Sequence, residues 1–489
     1  MKVLFATSEV QPLIRSGGLA EVSWGLARAL RDLGHDLRLI LPGYPPALHS
    51  VKGLETVARI NLVGAPEPVR LLLGTLPDSD MPIYLVDSPV HFAREGGPYA
   101  NADGDEWADN AERFAAFCRI IVSLASAPET DDWRPELVHC NDWQTGLVPA
   151  LLAHEPAPPA TLFTIHNLAA QGLFSWEVFH RLGLPRPLWT RHGLEHYGNF
   201  SFVKGGLAFS NRINTVSPTY AREIQTEAQG CGLEDVLRRH SERLAGILNG
   251  VDYTLWDPDS DPHIPVHYRH DNIVGKQSDK RELQRRLDLP VDPEQVLFVH
   301  TGRLLERRGA DLLLELVPEL RRLNAQLVVM GQGDRALEQA WGNVARRHTD
   351  RAAVVIGNDE PLHHLLVAAG DAVIIPSRFE PCGLDQLHGM RYGTVPVVHE
   401  TGGLADSVVD VGPDPIMAPG ATGFCFEGIL PPPMIEAIER ACTRFRRTPE
   451  DWRLLMRNGM ERDFSWPHSA RRYEALYLEA VQHSQEFGS

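Results

Sequence analysis

Residues 2–42 read KVLFATSEVQPLIRSGGLAEVSWGLARALRDLGHDLRLILP and indicate the fold class. The apolar runs at 3–7 and 37–41 are continuous rather than alternating, which is typical of strands covered on both faces. Between them, residues 20–33 carry apolar side chains at helical spacing. A strand, a helix and a second strand in this order predict a doubly wound parallel sheet in an α/β protein.

The same rhythm continues along the chain and then restarts. Further strands of the first half are predicted at 83–86, 137–140, 162–165 and 213–216, and helices at 108–126 and 143–154. In the second half, strands are predicted at 296–301, 326–330, 353–356, 372–375 and 395–398, and helices at 311–320, 336–347, 361–369 and 384–392. We expect the prolines at 431–433 to break the chain before a helix at 434–446, and a basic helical tail at 469–482.

The two halves meet near residue 250. Residues 254–279 are rich in Asp, Pro and His and follow Asn249-Gly250, so we place the domain junction there. A short internal repeat suggests two similar halves, because GGLAE at 17–21 recurs as GGLAD at 402–406. A glycine pair that opens a helix lets the backbone approach a ligand and directs free N–H groups at an anion.

The composition excludes several classes of partner. The 489 residues carry 47 Lys and Arg against 64 Asp and Glu, a formal net charge of −17, which argues against nucleic acid or an anionic membrane as the main partner. No stretch approaches the roughly 20 apolar residues of a membrane span, and the first apolar run is too short for a signal peptide. The six cysteines form no pair at metal-ligand spacing, which is typical of reduced thiols in a cytoplasmic protein.

The first candidate site is the turn between the first strand and the first helix, where α/β sheets bind ligands. Gly17 and Gly18 can approach a phosphate or a sugar, and Arg15 can neutralise negative charge. The turn lacks the G-x-G-x-x-G fingerprint, so no nicotinamide cofactor is implied. A tight turn with a surface arginine is the alternative interpretation.

A second candidate site follows the strand predicted at 296–301. Arg303, Arg307 and Arg308 lie within six residues of one another. Guanidinium groups at a strand end make a good diphosphate clamp because they bind phosphate in a bidentate manner. The alternative is a solvated run of charges at the start of a helix.

A third candidate site, EPCGL at 380–384, follows the strand predicted at 372–375. Gly383 lets a helix N-terminus meet hydroxyl or phosphate oxygens of a ligand. Glu380 can accept hydrogen bonds from sugar hydroxyls. Alternatively, Glu380 is a carboxylate that the helix dipole stabilises.

Two further strand ends carry polar residues, Asp142 after 137–140 and His166-Asn167 after 162–165. We expect the two strands to be neighbours, so that Asp142 and His166 share one site, although a lone histidine after a strand is often structural.

Asp-x-Asp stretches resemble a glycosyltransferase metal motif, but all lie in turns, where Asp is common for local reasons. These stretches are at 78–80, 103–105, 257–259 and 259–261.

Six stretches together resemble the family of bacterial glycogen synthases and plant starch synthases. They are SGGLA at 16–20, HCNDW at 139–143, FTIHNL at 163–168, NGVD at 249–252, PSRFEPCGL at 376–384 and TGGLAD at 401–406. Their order and spacing both fit, and the resemblance extends from Lys2 to about residue 480.

The resemblance implies two Rossmann-like domains, at 1–248 and 249–463, that face each other across a cleft in the GT-B architecture. A last helix at about 464–489 is expected to pack back on the first domain. The implied reaction transfers glucose from a nucleotide-glucose, usually ADP-glucose, to the non-reducing 4-hydroxyl of an α-1,4-glucan such as glycogen or a maltooligosaccharide. The anomeric configuration is retained, and no metal or other cofactor is expected.

The resemblance also implies roles for individual residues. The residues expected to be catalytic are Glu380, His166, Asp142 and Arg303. Those expected to bind the donor are Arg15, Gly17, Gly18, Arg308, Asn167, Asn249, Cys382, Gly383, Leu384 and Asn358. Tyr99 and Asp142 match positions near the acceptor.

Several positions depart from the family pattern, and most of them concern the donor side. The family usually has Lys at Arg15 and Arg308, and Arg and Lys differ in reach and geometry. A tyrosine that stacks on adenine in relatives aligns with Asn358, which cannot stack. The other departures are Glu21, where Asp is usual, and His388 and Ala170, where Tyr is common.

Other functions remain open from the sequence. A transferase of the same fold could use UDP-glucose or another acceptor, and a relative with weak catalysis could act as a glucan-binding protein. Retention of Glu380, His166, Asp142 and Arg303 argues against that non-enzymatic function. A glycan phosphorylase would need a cofactor-bearing lysine late in the chain, where lysine is scarce after Lys280.

Overall fold

A computed structural model describes residues 1–62, 67–101, 103–126, 133–412 and 417–487. The chain folds as two compact units. Unit 1 comprises Met1–Gly250 and Trp466–Ser489, and unit 2 comprises Val251–Ser465. The chain therefore passes between the units twice, at Gly250–Val251 and at Ser465–Trp466.

Unit 1 is built on a nine-stranded sheet in the order β12-β11-β7-β6-β1-β2-β5-β4-β3, next to a three-stranded sheet in the order β8-β10-β9. Its strands are β1 Lys2–Ala6, β2 Asp36–Pro42, β3 Lys52–Ile60, β4 Val69–Thr75, β5 Pro82–Asp87, β6 Leu137–Asn141, β7 Ala160–Ile165, β8 Leu173–Ser175, β9 Glu195–His196, β10 Asn199–Ser201, β11 Arg212–Thr215 and β12 Leu244–Gly246. Within the large sheet, the pairs β3–β4 and β4–β5 are antiparallel. The remaining pairs, including β1 with β2 and with β6, are parallel.

Helices cover this sheet between the strands. They are α1 Gly18–Asp32, α2 Pro45–Ser50, α3 Pro89–Phe92, α4 Asn110–Ser126, α5 Leu147–Leu152, α6 Trp176–Arg181, α7 Phe202–Phe209, α8 Pro218–Glu223 and α9 Glu234–Arg239. Short 3₁₀ turns lie at Trp143–Thr145, Arg186–Leu188 and Ser241–Arg243.

Unit 2 is built on a six-stranded sheet in the order β15-β14-β13-β16-β17-β18, whose pairs are all parallel. Its strands are β13 Val296–Thr301, β14 Ala325–Gly331, β15 Ala352–Ile356, β16 Ala372–Ile375, β17 Val395–His399 and β18 Phe424–Phe426. Its helices are α10 Val274–Arg286, α11 Arg335–Arg347, α12 Glu360–Ala369, α13 Asp385–Arg391, α14 Gly402–Ser407, α15 Pro431–Arg447 and α16 Pro449–Glu461, with 3₁₀ turns at Glu306–Arg308 and Leu312–Glu319.

The unit 2 sheet is buried on both faces, as its continuous apolar strands predict. In β13, Phe298 packs into the core on one face, and Leu297 and Val299 pack into the core on the other. Successive side chains of a strand point to opposite faces. Apolar side chains of β13 therefore pack on both faces of the sheet, and the α/β prediction is confirmed.

Three local predictions were wrong. The stretch 143–154 is a 3₁₀ turn followed by α5, and a Cβ at the intervening Gly146 would overlap the carbonyl oxygen of Phe202. Within the stretch 311–320, the structure has a 3₁₀ helix at Leu312–Glu319 that contains Pro318, which cannot donate an α-helical hydrogen bond. The prolines at 431–433 start α15 rather than break the chain before it, because the first helical turn has no use for their missing N–H groups.

The last helix, α17 (Trp466–Phe487), belongs to unit 1. A polar network buried beneath the sheet joins it to three strands. His139 of β6 bonds to the Tyr477 hydroxyl at 2.8 Å and to Thr164 of β7 at 2.6 Å. Asn214 of β11 accepts from Thr164 at 2.5 Å and donates to the Tyr473 hydroxyl at 3.0 Å. Since buried polar groups need partners, this network fixes α17 against these strands.

A close packing contact at the start of α17 gives the first testable prediction. A Cβ added at Gly25, inside α1, would overlap the indole ring of Trp466, whereas a Cβ at Gly342, inside α11, meets only the flexible Arg346 side chain at 3.7 Å. We expect Gly25→Ala to lower the free energy of unfolding by about 1–3 kcal/mol through overpacking. The matched Gly342→Ala should raise it by about 0.5–1 kcal/mol. Urea denaturation followed by circular dichroism measures both, and equal stabilities would contradict this packing.

Candidate active site

Polar residues gather at one edge of the unit 1 sheet. β7, β6 and β1 are consecutive in the strand order, so their carboxyl ends lie side by side. Glu9 follows β1, Asp142 follows β6, and His166 with Asn167 follows β7. The structure therefore brings together Asp142, His166 and Asn167, as expected, and adds Glu9, which the sequence analysis did not single out.

Glu9 holds the glycine turn that precedes α1. Its carboxylate is buried and accepts hydrogen bonds from the N–H groups of Ser16 at 2.6 Å and Gly17 at 3.2 Å. It also accepts from the Ser16 hydroxyl at 2.7 Å and the Tyr99 hydroxyl at 2.6 Å. The N–H of Gly17, which we expected to bind a ligand, is therefore used within the protein. Arg15, Gly17 and Gly18 themselves are exposed.

Asp142 adopts a strained backbone conformation at the end of β6. Its φ of 57° and ψ of −177° fall in a region that is almost reserved for glycine and that costs other residues about 1–3 kcal/mol. Its Oδ1 accepts from the N–H groups of His166 at 2.8 Å and Asn167 at 3.4 Å. A strained backbone persists only where contacts with the surrounding structure hold it in place, and such residues are frequent at functional sites.

Burial changes the protonation of both residues. It raises the pKa of Asp142 to about 7; the N–H groups of His166 and Asn167 oppose the shift, and the nearby Glu9 adds to it. Burial lowers the pKa of His166 to about 3, so this imidazole is neutral near pH 7. The Asn141 amide donates to the carbonyl of Ala6 at 3.0 Å, which directs its Oδ1 toward His166 Nε2 at 2.9 Å. His166 Nε2 therefore carries the proton, and Nδ1 is the acceptor.

Asn249 and Tyr99 are two further residues of unit 1 that were predicted to belong to the site. Asn249 is buried, and its Oδ1 has no hydrogen-bond partner among the residues that the structure describes. A buried acceptor of this kind is costly unless something binds it. Tyr99, expected near the acceptor, is tied to Glu9, and burial together with the adjacent Glu9 carboxylate raises the pKa of its phenol. Its hydroxyl is therefore protonated and donates.

In unit 2, the loops after β13 and β16 converge on Glu380. Arg308 forms an ion pair with the Glu380 carboxylate, which also accepts from the Ser377 hydroxyl at 3.0 Å. The Glu380 side chain is buried, and Arg308 is half-buried. Arg303, the other predicted phosphate ligand, is exposed. Two residues that were each expected to hold part of a donor thus contact each other directly.

Additional contacts join the same two loops. Arg378 donates to both oxygens of Asp311 at 2.7 Å, and its backbone N–H donates to the carbonyl of Arg307 at 3.0 Å. Gly309 has a φ of 72°, and a Cβ there would overlap the carbonyl oxygen of Pro376. Only glycine allows this approach without strain, and it places the neighbouring Arg308 beside Glu380.

The glycine pair that opens α14 allows close packing against backbone carbonyl groups. A Cβ at Gly402 would overlap the carbonyl oxygen of Glu380, and a Cβ at Gly403 would overlap that of Cys382. Gly403 N–H also donates to the Glu380 carbonyl at 3.2 Å. No heavy atom lies within 4 Å of a Cβ at Gly17. The two similar motifs therefore differ in packing, because Gly402 and Gly403 allow close backbone contacts whereas Gly17 does not need to.

Asp385, the first residue of α13, was not singled out from the sequence. Its Oδ1 accepts from the Thr301 hydroxyl at 3.1 Å and lies 3.7 Å from His363 Nε2. Burial alone would raise the pKa of Asp385, but His363 and the charge of Arg308 outweigh burial and hold it at about 2. An acidic residue at the start of a predicted helix is the signal that could have identified it.

The departures on the donor side have separate environments. His388 is buried and stacks on Trp256 with ring centroids 3.8 Å apart, and His364 stacks on the other face at 3.9 Å. Asn358 is exposed in the segment after β15. Cys382 is buried, whereas Gly383 and Leu384 are half-buried next to α13. His388 thus has a packing role in unit 2.

The described residues contain no group of three or more His, Cys, Asp or Glu that could hold a metal ion. No described helix is both long enough and apolar enough to span a bilayer.

Comparisons with known proteins identify the family. A model of the starch synthase catalytic domain matches residues 2–239, and a model of glycosyl transferases group 1 matches residues 295–443. Glycogen synthase 1 of Methylococcus capsulatus is 48% identical over 98% of this chain and 97% of its own length. Glycogen synthase of Thioalkalivibrio sulfidiphilus is 48% identical over 98% of this chain and 100% of its own length.

Solved structures agree with these relatives. The catalytic domain of starch synthase IV from Arabidopsis thaliana, bound to ADP and acarbose, is 31% identical with a TM-score of 0.88, covering 98% of this chain and 99% of that one. Sucrose-phosphate synthase from Thermosynechococcus elongatus shares the fold, with a TM-score of 0.59 at 17% identity over 98% of this chain and 99% of that one. The chain belongs to the starch and glycogen synthase family of GT-B glycosyltransferases.

The backbone of Asp142 gives a second testable prediction. Both Asp142→Gly and Asp142→Ala remove the carboxylate, but only glycine relieves the strained φ and ψ. We expect Asp142→Gly to be more stable than Asp142→Ala by about 1 kcal/mol in urea denaturation. At the exposed helical control Glu177, alanine should instead be the more stable replacement. The same order at both positions would contradict strain at Asp142.

Proposed function

We propose that this enzyme transfers glucose from ADP-glucose to the non-reducing 4-hydroxyl of an α-1,4-glucan, with retention of configuration and without a metal ion. The proposal rests on the similarity to two glycogen synthases, each 48% identical to this chain over 98% of its length. The ADP in the related starch synthase structure supports an adenine nucleotide donor. The buried Glu380 and Asn249 and the half-buried Asp142 supply acceptors for sugar hydroxyls.

We assign charge stabilisation to unit 2 and to the start of α1. Breaking a glycosyl–diphosphate bond places negative charge on the leaving group. The guanidinium groups of Arg303 and Arg308 and the first N–H groups of α1, from Gly18 onward, are fixed donors for such charge. Arg15 adds a positive charge at the same turn. Donors that are already in place stabilise charge without a cation, which is the basis for the metal-free proposal.

The glucose itself is assigned to a second set of residues. Glu380 is a charge-assisted acceptor for its hydroxyls, and the backbone at Cys382, Gly383 and Leu384 provides further contacts. His166, Asn167 and Asn249 are also assigned to glucose hydroxyls. Asp142 and Tyr99 are assigned to the acceptor side.

The proton of the acceptor hydroxyl is assigned to the leaving phosphate. The acceptor oxygen bonds to the anomeric carbon on the face that the phosphate leaves, the carbon–oxygen bond to phosphate breaks, and a phosphate oxygen takes the proton. A His166 pKa of about 3 makes this imidazole a poor base near pH 7. This supports a route in which the substrate provides the base.

A donor panel is the direct test. Purified protein is incubated with glycogen and ADP-, UDP- or GDP-glucose, and the released nucleotide is measured. Asn358, which cannot stack on a base as tyrosine does, favours UDP-glucose as the second candidate donor. We expect the fastest release with ADP-glucose. Preference for UDP-glucose would replace the donor assignment, and inactivity with every donor would favour a glucan-binding function.

Removal of two charged side chains gives a third prediction. Glu380→Ala and Arg303→Ala should each lower kcat by at least about 10²-fold, the scale for loss of one preorganised transition-state contact. The exposed Arg321, which pairs with Asp350 at 2.9 Å, provides the control Arg321→Ala, which should retain full activity. Near-native rates in both site variants would refute the assignment.

The raised pKa of Asp142 gives a fourth prediction. The carboxylate accepts hydrogen bonds from sugar hydroxyls, and it dominates above its pKa of about 7. We therefore expect kcat/KM to fall about tenfold per pH unit below pH 7. Asp142→Asn should have low activity without this dependence. A flat profile between pH 5.5 and 8.5 in the unmodified enzyme would contradict the role.

We also propose that the enzyme acts in the cytoplasm. All six cysteines are free thiols, and four of them are buried. Reduced cysteines are the norm where glutathione and thioredoxin are active.

A further inference from the structure

We infer that Glu9 is a positioning residue for this enzyme: its buried carboxylate holds the Ser16–Gly17 turn and the Tyr99 side chain in place, so that α1 presents Gly18 to the donor. The inference rests on the proposed function, because it assigns the turn to the donor phosphates. Glu9 lies outside the residues that the sequence motifs indicate, and it contacts no substrate itself.

Each oxygen of the Glu9 carboxylate is used twice. Oε2 accepts the backbone N–H groups of Ser16 and Gly17, at 2.6 and 3.2 Å. Oε1 accepts the hydroxyls of Ser16 and Tyr99, at 2.7 and 2.6 Å. Hydrogen bonds to an ionised acceptor are about twice as strong as neutral ones. Four of them compensate for burying this charge.

The contact resembles the part of a capping box in which a glutamate accepts the backbone N–H of the N-cap residue. Gly17 occupies the N-cap position of α1 and has no side chain to cap the helix. Glu9 reaches the same turn from the end of β1 and binds the N–H groups that precede the helix. A ligand can then use only the N–H groups that follow, from Gly18 onward. The carboxylate thus decides which backbone groups face the donor.

The Glu9 carboxylate also holds the Tyr99 side chain in place. Its one hydroxyl proton is donated to Glu9, so the Ser8 hydroxyl, at 2.7 Å, donates to the tyrosine oxygen. The Tyr99 carbonyl accepts from the Asn110 amide at 3.0 Å and from the Trp107 N–H at 3.1 Å. The donor turn and an acceptor-side residue therefore depend on one group.

Three variants of Glu9 distinguish the effect of its hydrogen-bond geometry from the effect of its negative charge. Glu9→Ala removes all four hydrogen bonds. Glu9→Asp keeps the charge but is one methylene too short to reach the turn. Glu9→Gln keeps the geometry, because its amide oxygen can accept both backbone N–H groups and its NH₂ can donate to the hydroxyls of Ser16 and Tyr99. Glu136→Gln is the matched control, since Glu136 accepts the Lys2 N–H at 2.7 Å at the other end of β1.

Steady-state kinetics with ADP-glucose and glycogen provide the first readout. We expect Glu9→Ala and Glu9→Asp to lower kcat/KM for the donor by at least about 30-fold, the scale of losing hydrogen bonds to a buried charge. The KM for ADP-glucose and the inhibition constant of ADP should rise together. Glu9→Gln should remain within about tenfold of the unmodified enzyme, and Glu136→Gln should be unchanged.

Hydrogen exchange provides a readout that needs no activity. In a peptic peptide that covers residues 11–19, the amides of Ser16 and Gly17 should exchange slowly in the unmodified protein and in Glu9→Gln, and rapidly in Glu9→Asp. A purely structural role would lower the urea midpoint of Glu9→Asp and leave its donor KM unchanged, which would overturn the inference. So would Glu9→Ala or Glu9→Asp with near-native kinetics, or Glu9→Gln as impaired as Glu9→Asp.

These outcomes can be told apart from a failure of the proposed function. If the unmodified enzyme releases nucleotide from no donor, the proposed function fails while the exchange of Ser16 and Gly17 still tests the contact. If it uses ADP-glucose and the Glu9 variants do as well, only the role of Glu9 fails.

Discussion

The parallel alignment of strands is the constraint on which the rest of this structure depends. In a parallel sheet, all carboxyl ends lie at one edge, so residues distant in sequence become neighbours. In unit 1, this places Glu9, Asp142 and His166 at the ends of three adjacent strands. In unit 2, it places Arg308 and Glu380 after the adjacent strands β13 and β16. If these strands were antiparallel, the residues that follow them would be divided between opposite ends of the sheet.

A second consequence concerns charge. The chain has a net charge of −17, yet its proposed donor is an anion. The acidic candidate residues of each unit are engaged by the protein. In unit 1, N–H and hydroxyl groups bind Glu9. In unit 2, Arg308 and Ser377 bind Glu380, and Thr301 binds Asp385. Each carboxylate is therefore partly neutralised where it lies. In the proposed function, arginines and helix N-termini set the charge that a donor meets, whereas the net charge describes the whole surface.

Much of the fold follows from periodicity. The strands β13 and β16 have the predicted bounds, because long apolar runs between polar turns leave little choice. The antiparallel strands β3 and β4 were not predicted, since β3 is largely exposed and carries charged residues along its length. The 3₁₀ helix at Leu312–Glu319 and the proline start of α15 depend on backbone hydrogen bonding, which apolar spacing does not report.

In the candidate site too, local sequence patterns indicated some residues and missed others. Motifs indicated Asp142, His166 and Glu380, and the strand order then brought the first two together. No sequence pattern indicated Glu9, because nothing in its immediate neighbours reveals that Ser16 and Tyr99 bind it. The use of Gly402 and Gly403 against Glu380 and Cys382 likewise depends on distant backbone. Long-range contacts of this kind are not encoded in local spacing.

The central claim is that protein groups alone hold the diphosphate of the donor. Calorimetric titration of ADP into the unmodified enzyme tests it directly, once in excess EDTA and once in excess Mg²⁺. We expect saturable binding in EDTA, with a dissociation constant that Mg²⁺ leaves unchanged within about twofold, because fixed arginines and N–H groups bind the phosphates. Loss of ADP binding in EDTA, with recovery on addition of Mg²⁺, would contradict it.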